Sequence, residues 1–329
     1  MSIYLNNTNE RMLKMVTEWT KSRKTKSLLH KANSYSKEQN LNLEELNLMN
    51  KDLRKIKLKE SFTNSHHAKF AAMPLHGQYV MELDQPYIDA HLSNNWIREG
   101  KLKPTTEATV FAIQEQAVTT NYIKKHIHKS ITTDICRLCN SNKETIHHII
   151  SGCTVLAKSE YLKRHNNVAK EVYIKIAEEF KFLKKNENQW YKYEPKSVVE
   201  NKEYKVLWDF PIQTDRTILH NRPDIVIIDK VGKTIQIIDI AIPSDYNIIE
   251  KRNEKIRKYI NLSMELKDLW HMEKVYIIPV IIGATGTVYK GIKDEINYIP
   301  GNIKIESLQK IAVLGTAHIW RRFNEMIKH

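Results

Sequence analysis

Beyond residue 195 the apolar positions come in short, dense runs. "YKVLWDF" begins at 204, "DIVIID" at 224, "TIQIIDIAI" at 234 and "VYIIPVIIG" at 275. All are rich in Ile and Val and too short for helices, so they predict strands. Between the third and fourth runs, residues 245 to 270 switch to a helical period, with Ile249, Ile256, Ile260 and Ser263 tracing a stripe. A closing helix is predicted around "SLQKIAVLGTAHIWRRFNEM". Strand, strand, strand, helix, strand, helix is the order of a mixed α/β domain, assigned to residues 196–329.

Upstream the period is helical throughout. Residues 1–62, rich in Lys, Asn and Leu, read as a basic helical lead-in, and 63–130 as a helical linker. Within the linker one helix is expected to open just after Pro104 and to carry Phe111, Gln114, Val118 and Tyr122 on one side. Its far end bears Lys124, Lys125 and Lys129, cations that suit a helix C-terminus and are also placed to contact phosphates. Residues 131–195 hold a cysteine-bearing segment and an amphipathic helix around "LAKSEYLKRHNNVAKEVYIKIAEEFKFL". The polar, proline-containing "KKNENQWYKYEPKS" marks a boundary near residue 195.

Charge narrows the class of partner. Fifty-two Lys and Arg against 38 Asp and Glu leave +14, and the first sixty residues alone hold thirteen basic against seven acidic side chains. Such an excess favours a polyanion, nucleic acid before an anionic membrane surface. The longest apolar run, "VYIIPVIIGA", is broken by Pro279 and far too short to span a bilayer. The N-terminus lacks the apolar core of a signal peptide, so a reducing compartment, nucleus or cytosol, is expected rather than secretion.

All three cysteines lie in "CRLCNSNKETIHHIISGC", residues 136–153. Cys136 and Cys139 have the two-residue gap that lets one turn present both thiolates to one ion. His148 and Cys153 complete four ligands suited to tetrahedral zinc, with His147 the competitor for the third position. With no ligand position open, such a zinc would be structural, as in the zinc knuckles of nucleic-acid-binding proteins.

The hairpin "NRPDIVIIDKVGKTIQIIDIAIP", residues 221–243, carries the second candidate. Two strand runs flank "KVGK", where Gly232 is expected to take the positive φ of a tight loop. Pairing Asp229 with Thr234 puts Ile227 opposite Gln236, Ile225 opposite Ile238 and Asp224 opposite Asp239. Two ionised carboxylates so placed repel by roughly 3 kcal/mol at an effective dielectric of 20, unless a divalent cation screens them. On the following helix Lys251, Lys255 and Tyr259 recur every four residues on one face, away from the isoleucine stripe and within reach of the same cation.

Arg222-Pro223-Asp224, then Asp239, with Lys255 and Tyr259 on the next helix, resembles the restriction-like endonuclease of site-specific non-LTR retrotransposons, a branch of the PD-(D/E)xK nucleases. Most of that superfamily has a lysine two residues after the second acid. Here that place is Ala241, and the retrotransposon branch likewise carries the lysine on the helix, which leaves Lys251 and Lys255 as alternatives. "CRLCNSNKETIHHIISGC" is similar to the Cys-Cys-His-Cys knuckle upstream of that nuclease, and "LHGQY", "NWIREGKLKPTTEATVFAIQEQ" and "EYLKRHNNVAKEV" to the linker around it. The resemblance runs over about residues 62 to 290.

The resemblance implies a restriction-endonuclease-like sheet and a Mg²⁺- or Mn²⁺-dependent DNA endonuclease. Asp224, Asp239 and the Ile240 carbonyl would hold the metal, Lys255 would stabilise developing charge and Tyr259 would position it. Arg222, Lys251, Lys124 and Lys125 would contact DNA or RNA, and Asp215 is a further acid nearby in sequence, at a turn. No adjacent aspartate pair of a polymerase is present, so the expectation is the C-terminal portion of an element, or a host gene derived from one. Nucleic-acid binding without cleavage is the alternative.

Overall fold

The computed structural model describes residues 34, 36–37, 41–185 and 187–328. Most of the basic lead-in therefore lies outside the described residues. The chain divides into two compact units between Val80 and Met81.

In the first unit, helix α1 (Lys51–Ala71) starts where the Asn50 side chain accepts from the Leu53 N–H at 2.9 Å. It runs through the boundary expected at 62/63, burying Leu58 and Phe62.

The second unit contains a five-stranded mixed sheet in the order β1 (Val198–Glu200), β2 (Tyr204–Trp208), β3 (Ile225–Asp229), β4 (Thr234–Ala241) and β5 (Lys274–Ile281). The first four strands are antiparallel, and β5 joins β4 in parallel after a helical crossover. Four of the strands are those legible in the sequence. The three-residue β1 is additional, set in a polar stretch with no alternation to reveal it.

Alternation along β3 and β4 sends side chains to two faces. Ile225, Ile227, Ile238 and Ile240 belong to one core with Val168, Val172, Tyr173 and Ile176 of helix α5 (Leu162–Glu179). Val226, Ile228, Ile235 and Ile237 belong to the other, with Tyr259, Leu262 and Leu266 of helix α6 (Ile248–Leu269). Helices thus cover both faces, and residues on either side of position 195 share one core, so the expected domain boundary there separates no two cores.

Three expectations change. The helix after Pro104 is two helices, α2 (Pro104–Gln114) and α3 (Asn121–His126). Gln116 turns left-handed between them, and the Thr120 hydroxyl accepts from the Ile123 N–H at 3.3 Å to start α3 afresh, so Phe111 and Tyr122 share no face. On α6 the buried stripe is Ile248, Tyr259, Leu262 and Leu266, whereas Ile260 is 37% exposed. Tyr259 and Lys255 are therefore turned to the sheet, whereas of the expected isoleucine stripe Ile249 still packs on the core. At the hairpin tip the left-handed residue is Lys233, not Gly232. Asp229 accepts from the Val231 and Gly232 N–H groups, and a Cβ on residue 232 would sit 2.6 Å from its carboxylate, so a larger residue there would make that side chain shift.

β5 is an edge strand, and Pro279 in its middle has no N–H to offer. Its carbonyl accepts from the Tyr289 hydroxyl at 3.2 Å. Helices α7 (Ile292–Asn297) and α8 (Ile305–Met326) close the unit. Among the described residues no helix is long and apolar enough to cross a membrane.

Candidate functional sites: a cysteine cluster and a carboxylate site

The segment 131–153 folds around its cysteines. An antiparallel bridge between Ile135 and Lys143 closes a turn in which Asn140 is left-handed and donates its N–H to the Cys136 carbonyl at 3.0 Å. Helix α4 (Ile146–Ser151) follows, started by the Thr145 hydroxyl, which accepts from the His148 N–H at 3.1 Å. The Sγ atoms of Cys136, Cys139 and Cys153 and a ring nitrogen of His148 all lie within 4.8 Å of one another, with His148 Nε2 3.3 Å from Cys139 Sγ. A tetrahedral zinc with Zn–S of about 2.3 Å needs ligand separations of about 3.8 Å, so this donor set fits a metal ion. Burial pushes the Cys136 thiol up to about 12. His147 is elsewhere, its ring packed edge-on against Tyr246 at 4.7 Å. Cys136, Cys153, Ile149 and Leu156 pack on Ile319 and Phe323 of α8, which anchors the cluster to the unit.

At the other candidate site the expected hairpin register holds, with Ile225 opposite Ile238 and Asp229 opposite Thr234. Asp224 lies one residue before β3 and so falls opposite Asp239 at the end of the sheet. Asp239 is 2% exposed. Its Oδ1 accepts from the Tyr259 hydroxyl at 2.6 Å, Lys255 Nζ pairs with Oδ2, and Lys258 Nζ stands 3.7 Å from Oδ1. Burial, reinforced by the Asp239 charge, raises Tyr259 far above an ordinary phenol, so it is a donor at any physiological pH.

Asp224 turns to a different helix. Its Oδ2 accepts from the Ile240 N–H at 2.6 Å and from His165 Nε2, on α5, at 3.0 Å. The same nitrogen is 3.1 Å from the Ile240 carbonyl oxygen. Extending the register places Pro223 opposite Ile240, and a proline has no N–H for that carbonyl, so the ladder stops and the histidine takes its place. Arg164, one residue earlier and buried, donates to the Ile242 carbonyl at 3.1 Å and to the Thr316 hydroxyl at 2.8 Å. Burial disfavours a charged His165, yet the hydrogen bond and charge of Asp224 outweigh it and raise the imidazole to about 9. Asp224 is held below its ordinary value: its burial works the other way, and the His165 hydrogen bond prevails.

The screening expected of a divalent cation is thus supplied by the protein, by Lys255 and Tyr259 at Asp239 and by His165 at Asp224. Among the described residues, only the cysteine cluster brings together three or more His, Cys, Asp or Glu side chains placed to hold one metal ion. As arranged, the acid pair does not fit Mg²⁺.

Of the remaining candidates, Lys251 pairs with Glu254 at 2.5 Å, Arg222 with Asp209 at 2.7 Å and Lys125 with Asp134 at 2.9 Å. Lys124 sits in the last turn of α3. Asp215 is exposed in a loop. His165 and Lys258 were not singled out from sequence. Lys258 follows Lys255 by one helical turn, a spacing that could have found it, but nothing in "KRHNN" signals that its histidine reaches a strand seventy-five residues on.

No protein-family model matches this chain, and no curated protein matches its sequence.

Proposed function

We propose that this chain is a nucleic-acid endonuclease, a DNA-nicking enzyme of the restriction-like type carried by non-LTR retrotransposons, with a structural zinc knuckle. The observation that carries the reading is the convergence of Asp224, Asp239, Lys255 and Tyr259 at one end of the sheet. One buried acid and a second, partly buried one beside a strand end, with a lysine and a phenol directed at the first, are costly as structure and useful for chemistry on a phosphodiester. In this reading Tyr259 fixes the rotamer of Asp239, and Lys255 and Lys258 hold positive charge where a scissile phosphate would approach. The net charge of +14 supports a polyanionic substrate.

The decisive experiment is a supercoiled-plasmid nicking assay in Mg²⁺ or Mn²⁺, comparing the native chain with Asp224→Ala and Asp239→Ala. Nicking lost in both variants sustains the reading, and nicking that survives either one ends it.

A second reading, nucleic-acid binding without turnover, is favoured by the complete internal neutralisation of both carboxylates. It is selected by salt-sensitive DNA binding in a gel shift together with no nicking in either metal.

A further inference from the structure

The point where the Asp224 carboxylate and the Ile240 carbonyl converge is filled by a side chain. His165 Nε2 lies 3.0 Å from the one oxygen and 3.1 Å from the other. The other ring nitrogen, Nδ1, is 3.0 Å from Asn166 Oδ1. Both nitrogens therefore face oxygen acceptors, the pattern of a ring that donates from both sides and carries charge. Carboxylate and carbonyl oxygens are the ligands a hard divalent cation takes, at about 2.0–2.6 Å. An ion at such distances from these two oxygens would overlap the imidazole.

We propose that His165 is the resident cation of the carboxylate site, holding the position between Asp224 and the Ile240 carbonyl, and that a divalent ion and this imidazole exclude each other there. The function of the displaced state rests on the endonuclease reading; the exclusion itself does not. The arrangement is built by three neighbouring features. Pro223 frees the Ile240 carbonyl from the ladder, Arg164 fixes the start of α5 to the Ile242 carbonyl, and His165 follows it directly. The ring has somewhere to go, because its side chain is 25% exposed.

The exclusion is read by titrating Mn²⁺ into the full, zinc-loaded chain by calorimetry. A site closed by the protein's own group more than about nine-tenths of the time binds at least about tenfold more weakly than an open one. His165→Ala is therefore expected to bind Mn²⁺ at least about tenfold more tightly than the native chain. His165→Gln, which retains a donor without the charge, should fall between them and carries the comparison should the alanine variant not fold. Asp224→Asn in the His165→Ala background should remove the gain. Unchanged or weaker binding in both His165 variants overturns the proposal, as does a gain that persists without Asp224 or the absence of Mn²⁺ binding from every variant. The nicking assay separates this outcome from the fate of the nuclease reading. Tighter Mn²⁺ binding without nicking upholds His165 and ends the enzyme, and nicking with no change in Mn²⁺ affinity does the reverse.

Discussion

The Tyr259 hydroxyl donates to Asp239 Oδ1 at 2.6 Å, from the middle of a helix to the end of a strand, both residues buried. Tyr259→Phe leaves the carboxylate in place and removes its shortest neutral donor. A charged acceptor that loses such a bond in the interior costs about 1.5–3 kcal/mol. Urea denaturation should show that loss, and nicking, where present, should fall with it because Asp239 is no longer held in one rotamer.

Lys255 and Lys251 are one helical turn apart and should behave very differently. Lys255 pairs with a buried acid, Lys251 with the exposed Glu254. Lys255→Met leaves Asp239 with Tyr259 as its hydrogen-bond donor and Lys258, at 3.7 Å, as its remaining ion-pair partner, and about 3 kcal/mol of stability should go, the low end for a broken buried pair. Lys251→Ala should change stability by no more than about 0.5 kcal/mol. Adding Asp239→Asn to Lys255→Met should recover part of the loss, since the uncompensated charge is then gone.

The cysteine cluster predicts about one zinc per chain, measured by atomic emission on protein purified without chelator. His148→Ala should lose the metal and, with it, the melting temperature contributed by the knuckle; His147→Ala should retain it. The contrast follows from His148 facing Cys139 while His147 packs on Tyr246. Equal zinc loss in the two variants would contradict the ligand set.

The pair of His165 and Asp224 sets a pH window. His165 is raised from 6.5 to about 9, so its contribution to stability is full below about 6.5 and disappears as pH rises through about 9. Asp224 is lowered from 3.8, so its contribution is present above that value and is lost as pH falls through its depressed titration point. Denaturation midpoints of the native chain should decline between pH 7 and 10, and His165→Gln should flatten that decline.

Much of the sheet was legible because β3 and β4 are short runs dense in Ile and Val and the tip between them is short, so the pairing of Ile225 with Ile238 followed from counting. The helix face was not. Ile249, Ile256 and Ile260 outscore Tyr259 in hydrophobicity, yet the sheet end offers Asp239, and a phenol with a lysine satisfies an acid where an isoleucine cannot. The same limit hid His165: its role depends on where α5 crosses the end of β4, a long-range fact absent from any local window. His147 and His148 were inseparable by spacing, and only the turn into α4 distinguishes them.

Pro279 has a bearing on how copies of this protein meet. An outermost strand normally invites a neighbour to extend the ribbon by main-chain pairing. Here the mid-strand position lacks a donor, its oxygen is already taken by Tyr289, and the opposite margin is the three-residue β1. Self-association through continuous β-pairing is disfavoured at both margins of this sheet, so among the described residues a dimer contact is to be sought on helices or loops.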